Sequence, residues 1–147
     1  MAENRCVPGF NKILLATDGS KFSEAATREA FGIAKGCSST LYVLSVVEVN
    51  PEYQALAPQL VEKAEKEVRA YLESIKSRAA QEGIACETIV HQGEEPYKYI
   101  VDEAAKRRVD MIVMGSHGRT GLKRLLMGSV TARVIGHASC KVLVVSC

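Results

Sequence analysis

The chain has 147 residues, 47% of them hydrophobic and 24% charged. That size and balance suit one globular domain (residues 1–147, with 1–10 a loose N-terminal segment) and exclude a fibrous or disordered chain. Nineteen Lys plus Arg stand against seventeen Asp plus Glu, a net charge of +2. So small a surplus excludes wrapping nucleic acid or coating an anionic membrane through bulk charge. Any positive charge that matters must be local.

No apolar run approaches the roughly 20 residues a membrane span needs, and the start, Met1 to Pro8, lacks the apolar core of a signal peptide. The expected location is the cytoplasm. The five cysteines, Cys6, Cys37, Cys86, Cys140 and Cys147, are scattered with no Cys-x-x-Cys pair, and are read as reduced, mostly buried thiols.

Ile13–Ala16 is the first short apolar run and predicts a strand, followed by the turn Thr17–Ser20. From Lys21 the apolar positions Phe22, Ala25, Ala26, Ala30, Ile33, Ala34 and Cys37 recur at helical spacing, with Ser20 as N-cap and Gly36 as stop. Leu41–Val47 predicts a β-branched second strand. Residues 48–58 hold Pro51 and Pro58 and no clear period, so they read as a connection. From about Gln59 to Glu82, Leu60, Ala64, Val68, Tyr71, Leu72, Ile75 and Ala79 predict the buried face of a long helix. Its other face carries the i,i+4 pairs Glu62/Lys66, Lys63/Glu67 and Glu65/Arg69, which read as a solvated surface.

Ile84–His91 contains a third strand, and Pro96 suits the first turn of a helix bearing Tyr97, Ile100, Val101, Ala104 and Ala105. Val109–Met114 is a fourth strand running straight into glycine. Ser129 can cap a helix bearing Val130, Val134, Ile135 and Ala138, and Lys141–Val145 is the fifth strand. Strands separated by helices require crossovers, so the fold class is α/β: a doubly wound, Rossmann-like, five-stranded parallel sheet with helices on both faces.

In such sheets ligands sit beyond the carboxyl ends of the strands. Two loops there stand out, Thr17–Ser20 and Gly115–Ser129. In the second, Gly115, Gly118, Gly121 and Gly128 strip away side chains so that backbone amides can approach a ligand closely. The loop feeds a helix N-terminus, whose unpaired amides favour an anion. Ser129 and Thr131 add hydroxyls, and Arg119, Lys123 and Arg124 add local positive charge. Neither a Walker A loop nor a Gly-x-Gly-x-x-Gly fingerprint occurs. The glycines by themselves allow either a phosphate seat or a punctuated surface loop.

The spacing Gly115-x2-Gly118-x9-Gly128-Ser129 resembles the nucleotide motif of the universal stress protein family, in its ATP-binding branch. Lys12–Ser20 resembles that family's opening strand and turn, and Cys140–Val145 its closing strand, although Lys141 stands where proline is common. The resemblance covers the chain from about Phe10. It implies the strand order 3-2-1-4-5, which brings the first and fourth strand ends into one cleft. It also implies ATP as ligand, with Mg or Mn able to bridge the phosphates and no dedicated protein metal site. Ala16 and Thr17 would line the base pocket, Asp18 would face the adenine or ribose, and the backbone at Val46 would bond the adenine edge with Met114 nearby. Gly115, Gly118, Arg119, Gly128, Ser129 and Val130 would contact ribose and phosphates.

Each assignment has a plainer counterpart. Asp18 can cap its turn, and His117 can be a turn residue instead of a base. His91 and His137 show no partner carboxylate at a telling spacing. Ser116 lacks a nucleophile elbow, so no catalytic residue is assigned. The function expected is an ATP-binding stress-response module, and the alternative is a slow ATPase or nucleotide-transferring enzyme using the same cleft. The last strand should lie at a sheet edge, where Val142–Val145 can pair with a second copy to give a homodimer.

Overall fold

The computed structural model describes residues 9–117 and 127–146. Its elements run β1 (Lys12–Ala16), a 3-10 turn (Lys21–Ser23), α1 (Glu24–Cys37), β2 (Thr40–Glu48), α2 (Pro51–Leu56), α3 (Pro58–Gln81), β3 (Cys86–Gly93), α4 (Pro96–Arg107), β4 (Met111–Gly115), α5 (Ser129–His137) and β5 (Lys141–Val145). The five strands form one sheet in the order β3-β2-β1-β4-β5, and all four pairings are parallel. The expected architecture and strand order are both present.

Alternation along the strands divides the core. Ile13, Leu15, Leu41, Val43, Met111 and Val113 face α1 and α3, meeting Ala30, Phe31, Leu72 and Ile75. Leu14, Ala16, Tyr42, Leu44, Ile112 and Met114 face the opposite way, toward Ile100 and Ala104 of α4 and Val134 of α5. The central strands are apolar on both faces because both are covered. At the amino edge, the Asp110 carboxylate accepts the amides of Asn11 and Lys12 at 2.8 and 2.9 Å, fastening β1 to the entry of β4.

Several local expectations need correction. Residues 51–56, read as a connection, form α2; the Asn50 side chain accepts the Tyr53 amide at 2.6 Å and Pro51 occupies the first turn. No residue of α2 is buried, which is why no apolar period marked it. Gly36 does not stop α1; the helix runs one residue further and Ser38 ends it in the left-handed region (φ 53°). Ser20 makes no side-chain cap bond, and the N-cap of α5 is Gly128, not Ser129. Leu60 and Ile135 were placed on buried faces but are exposed. Val61 takes the buried position at the start of α3.

Cys37 is disulfide-bonded, so the reading of five reduced thiols does not hold; scatter along the chain says nothing about proximity in the fold. Cys86 and Cys140 are free thiols. Burial pushes the Cys86 thiol up to about 11, which keeps it protonated and unreactive near neutrality. Residues 1–8, holding Cys6 and most of the expected loose segment, and Cys147 lie outside the described residues. Among the described residues no helix is long and apolar enough to cross a membrane.

Candidate functional site

A cleft of about 1340 Å³ opens at the carboxyl edge of the sheet. Of the residues singled out in the sequence, Ala16, Thr17, Asp18, Val46, Met114, Gly115, Gly128, Ser129 and Val130 all line it. Gly118 and Arg119, with Gly121, Lys123 and Arg124, lie outside the described residues.

The cleft exists because β1 is shorter than β2. Pairing between them ends at Ala16 opposite Leu44, and the Thr17 amide makes the last bond, to the Leu44 carbonyl at 3.0 Å. In a strand, backbone groups two residues apart point the same way. Leu44 faces β1, so the amide and carbonyl of Val46 also face that side, at a level where β1 has already turned away. Odd-numbered residues of β2 face β3 instead: the Leu41 amide bonds Ala85 and the Val49 amide bonds Gly93. Val46 therefore offers a donor and an acceptor along the open side of its strand. Its side chain is half-buried against the α4 and α5 layer.

The turn after β1 is held by side-chain hydroxyls. Ser45 Oγ donates to the Thr17 carbonyl. Thr17 Oγ1 lies 2.9 Å from Ser23 Oγ, which donates onward to the Ser20 carbonyl at 2.7 Å. Asp18 Oδ1 accepts the Ser20 amide at 2.9 Å, so this carboxylate caps its own turn while lining the cleft. Gly19 needs its lack of a side chain, since it sits at φ +79°.

At the other wall the Gly128 amide donates to the Ser116 carbonyl at 2.8 Å, and the Ala132 amide to the Gly128 carbonyl at 3.0 Å. The second bond is the first of the helical ladder, leaving the amides of Ser129, Val130 and Thr131 without an acceptor inside the helix. These three residues line the cleft, so α5 presents its positive dipole end there. Thr131 was expected to offer its hydroxyl to a ligand. It is 3% exposed and donates to the Gly115 carbonyl at 2.8 Å, which ties α5 to the end of β4. Gly115 was read as bared for a ligand; a Cβ there would meet the Phe22 carbonyl oxygen at 3.3 Å, so packing also makes the position tight for a side chain.

The described lining carries the carboxylates Asp18, Glu48, Glu67 and Glu94, and no Lys or Arg among the described residues. Glu48 closes β2 and Glu67 lies on α3, on the far side of the cleft from α5. An anion is thus repelled at the β2–α3 end and attracted at the α5 end. His117 also lines the cleft, with Nδ1 2.9 Å from Ser116 Oγ. Among the described residues no group of three or more His, Cys, Asp or Glu could hold a metal ion.

With this geometry in hand, similarity to known proteins decides the family. The model of the universal stress protein family matches residues 9–146. The chain belongs to the universal stress protein family. It is similar to Universal stress protein MJ0531 of Methanocaldococcus jannaschii, 38% identical over 141 residues that cover 92% of this chain and 82% of that protein. The solved structure of MJ0577, from the same organism, superposes with a TM-score of 0.84 at 32% identity, covering 95% and 97% of the two chains. The structure of a universal stress protein from Archaeoglobus fulgidus in complex with dAMP superposes with a TM-score of 0.67 at 24% identity, covering 92% and 98%.

Two parts of this universal stress protein escaped the sequence reading. Tyr53, Leu60, Val61, Ala64, Val68 and Tyr71 supply an apolar wall to the cleft from α2 and α3. The usable signal was the Asn50-Pro51 pair, a cap followed by proline in the first helical turn. The second is a buried ionic cluster away from the cleft. His91, read as having no carboxylate partner, lies with Nε2 2.9 Å from Glu103 Oε1, and Arg107 Nε donates to Glu103 Oε2 at 2.9 Å. Burial alone would raise the Glu103 carboxyl, but the bonds from His91 and Arg107 outweigh it and hold it below the ordinary range. The pair joins β3 to α4 across twelve residues, a separation that no local spacing rule detects.

Proposed function

We propose that this protein binds adenine nucleotides, ATP first among them, as a stress-response module whose output depends on nucleotide occupancy. The observation that carries the reading is the juxtaposition in one cleft of two backbone sets that have no ladder partner among the described residues. The open edge of Val46 suits the donor and acceptor pattern of adenine, and the first-turn amides of α5 suit phosphate oxygens. Ala16, Thr17 and Met114 bound the base, Asp18 faces the ribose side, and Gly115, Gly128, Ser129 and Val130 face ribose and phosphates. The acidic β2–α3 end directs the phosphates toward α5. The proposal extends to Gly118 and Arg119 from the family's motif, with Mg or Mn held chiefly by phosphate oxygens. A family member in complex with dAMP is a precedent for an adenine nucleotide on this fold.

Gly128→Val tests it. Gly128 sits at φ −59° and ψ 149°, a conformation open to any residue, so the variant should fold. Its side chain would stand where the phosphates approach. Calorimetry should show ATP binding to the wild type and at least a tenfold loss in Gly128→Val. Equal affinity in both would overturn the phosphate assignment. The same surface serves no assigned catalytic residue, and binding is the reading favoured over turnover.

A further inference from the structure

Among the described residues five large apolar side chains are exposed: Tyr53, Leu56, Leu60, Met127 and Ile135. Isolated exposed apolar side chains are ordinary. Three of these are not isolated, because Tyr53, Leu60 and Met127 all stand on the wall of the one cleft. Tyr53 is 45% exposed and Leu60 56%. They belong to α2 and the first turn of α3, which meet at Ala57, a residue outside helical geometry (φ −137°, ψ 56°). α2 buries none of its residues, so packing in the core does not account for its tyrosine.

These residues lie at the Val46 end of the cleft. Val47, Val49 and Val61 form a small core cluster, which Ala64 and Val68 pack against, and this cluster fixes the α3 wall beside the exit of β2. Asn50, at the end of that exit, caps α2 and holds the Tyr53 amide. The order of the chain thus places a half-exposed aromatic ring a few residues beyond the strand edge that offers Val46. A planar, apolar-faced ligand seated on that edge is the chemistry such a ring covers.

We infer that Tyr53, with Leu60 beside it, covers the base of the bound nucleotide, so that these two side chains form the base-binding wall. The inference rests on the nucleotide reading above and deepens it. Tyr53 is a positioning and affinity residue that contacts the base face and takes no part at the phosphates. Leu56, 79% exposed and absent from the cleft wall, provides a control in the same helix.

Isothermal titration calorimetry of Tyr53→Ala, Tyr53→Phe and Leu56→Ala with ATP, adenosine and inorganic tripolyphosphate tests this. Tyr53→Ala should weaken ATP and adenosine at least about fivefold, the lower end of what alanine costs at a base-stacking aromatic. Tyr53→Phe and Leu56→Ala should match the wild type, and tripolyphosphate should bind all four proteins alike. The chain has no tryptophan, so Tyr53→Trp adds a single reporter whose emission should change with adenosine and not with tripolyphosphate. Undiminished ATP affinity in Tyr53→Ala overturns the base cover and leaves the nucleotide reading intact. So does an equal loss in Leu56→Ala, or a loss for tripolyphosphate as large as that for ATP. A wild type that takes neither ATP nor adenosine overturns both.

Discussion

Thr131 separates two roles that a hydroxyl beside a glycine-rich loop can play. If it served a ligand, its removal would weaken binding and leave the unliganded fold alone. Its hydroxyl instead donates to the Gly115 carbonyl at 2.8 Å, at a site only 3% exposed. Thr131→Val keeps the branched shape and a similar helix propensity, so little besides the hydrogen bond changes. Leaving the buried carbonyl unsatisfied costs about 1–3 kcal/mol. For a chain of this length each kcal/mol shifts the melting temperature by about 2–4 °C, so the drop should be roughly 2–12 °C. Thr131→Ser, which retains the donor, should recover most of it. Thermal unfolding of the nucleotide-free protein followed by far-ultraviolet circular dichroism reads the shift. A Thr131→Val protein that melts with the wild type would refute the clamp and return the hydroxyl to the ligand.

Glu103→Gln removes the charge that His91 and Arg107 share and should cost about 2 kcal/mol at neutral pH, the scale of hydrogen bonds to a charged group. Because the folded Glu103 carboxyl lies below its ordinary value, its contribution is complete above the unfolded value and lost as pH falls through the folded one. The urea midpoints of wild type and variant should therefore converge as the pH falls from neutrality through and below the ordinary carboxylate range; a constant gap across that fall would refute the assignment. At the sheet edge, β5 is hydrogen-bonded only to β4 among the described residues, and its Val142–Val145 stretch is half-buried. Pairing with a second copy there should give a dimeric mass by light scattering at micromolar concentration, and Val144→Lys should shift it toward monomer. A monomeric wild type would refute that pairing.

The layered fold was legible because the three central strands, β2, β1 and β4, are short apolar runs buried on both faces, and each long helix writes its buried stripe at helical spacing. Where a helix leaves the sheet the stripe fails. Leu60 continues the period of Val68 and Ile75 in sequence, yet it faces the cleft while its neighbour Val61 takes the buried position. α2 has no buried face and so no period. The two helix ends at Ser38 and Arg108 use left-handed residues that are not glycine, whereas Gly36, the apparent stop, sits inside α1. Partners such as His91–Glu103 and Thr131–Gly115 arise from crossovers, and a linear sequence does not encode which hydroxyl or carboxylate a crossover delivers.

The site itself was half legible, and the division has a physical basis. Glycines mark places where a side chain is not tolerated, but not what excludes it. At Gly115 the neighbour is the Phe22 carbonyl oxygen, 3.3 Å from where a Cβ would stand; at Gly19 it is the sign of φ. The open edge proposed to hold the base, by contrast, rests on no side chain. Val46 is open there because β1 pairing ends at Ala16 opposite Leu44 and because its parity matches Leu44. Any residue at position 46 that keeps the strand would present the same amide and carbonyl. On the proposed reading, base recognition follows from strand length and register, and side-chain chemistry enters only at the wall that Tyr53 and Leu60 supply.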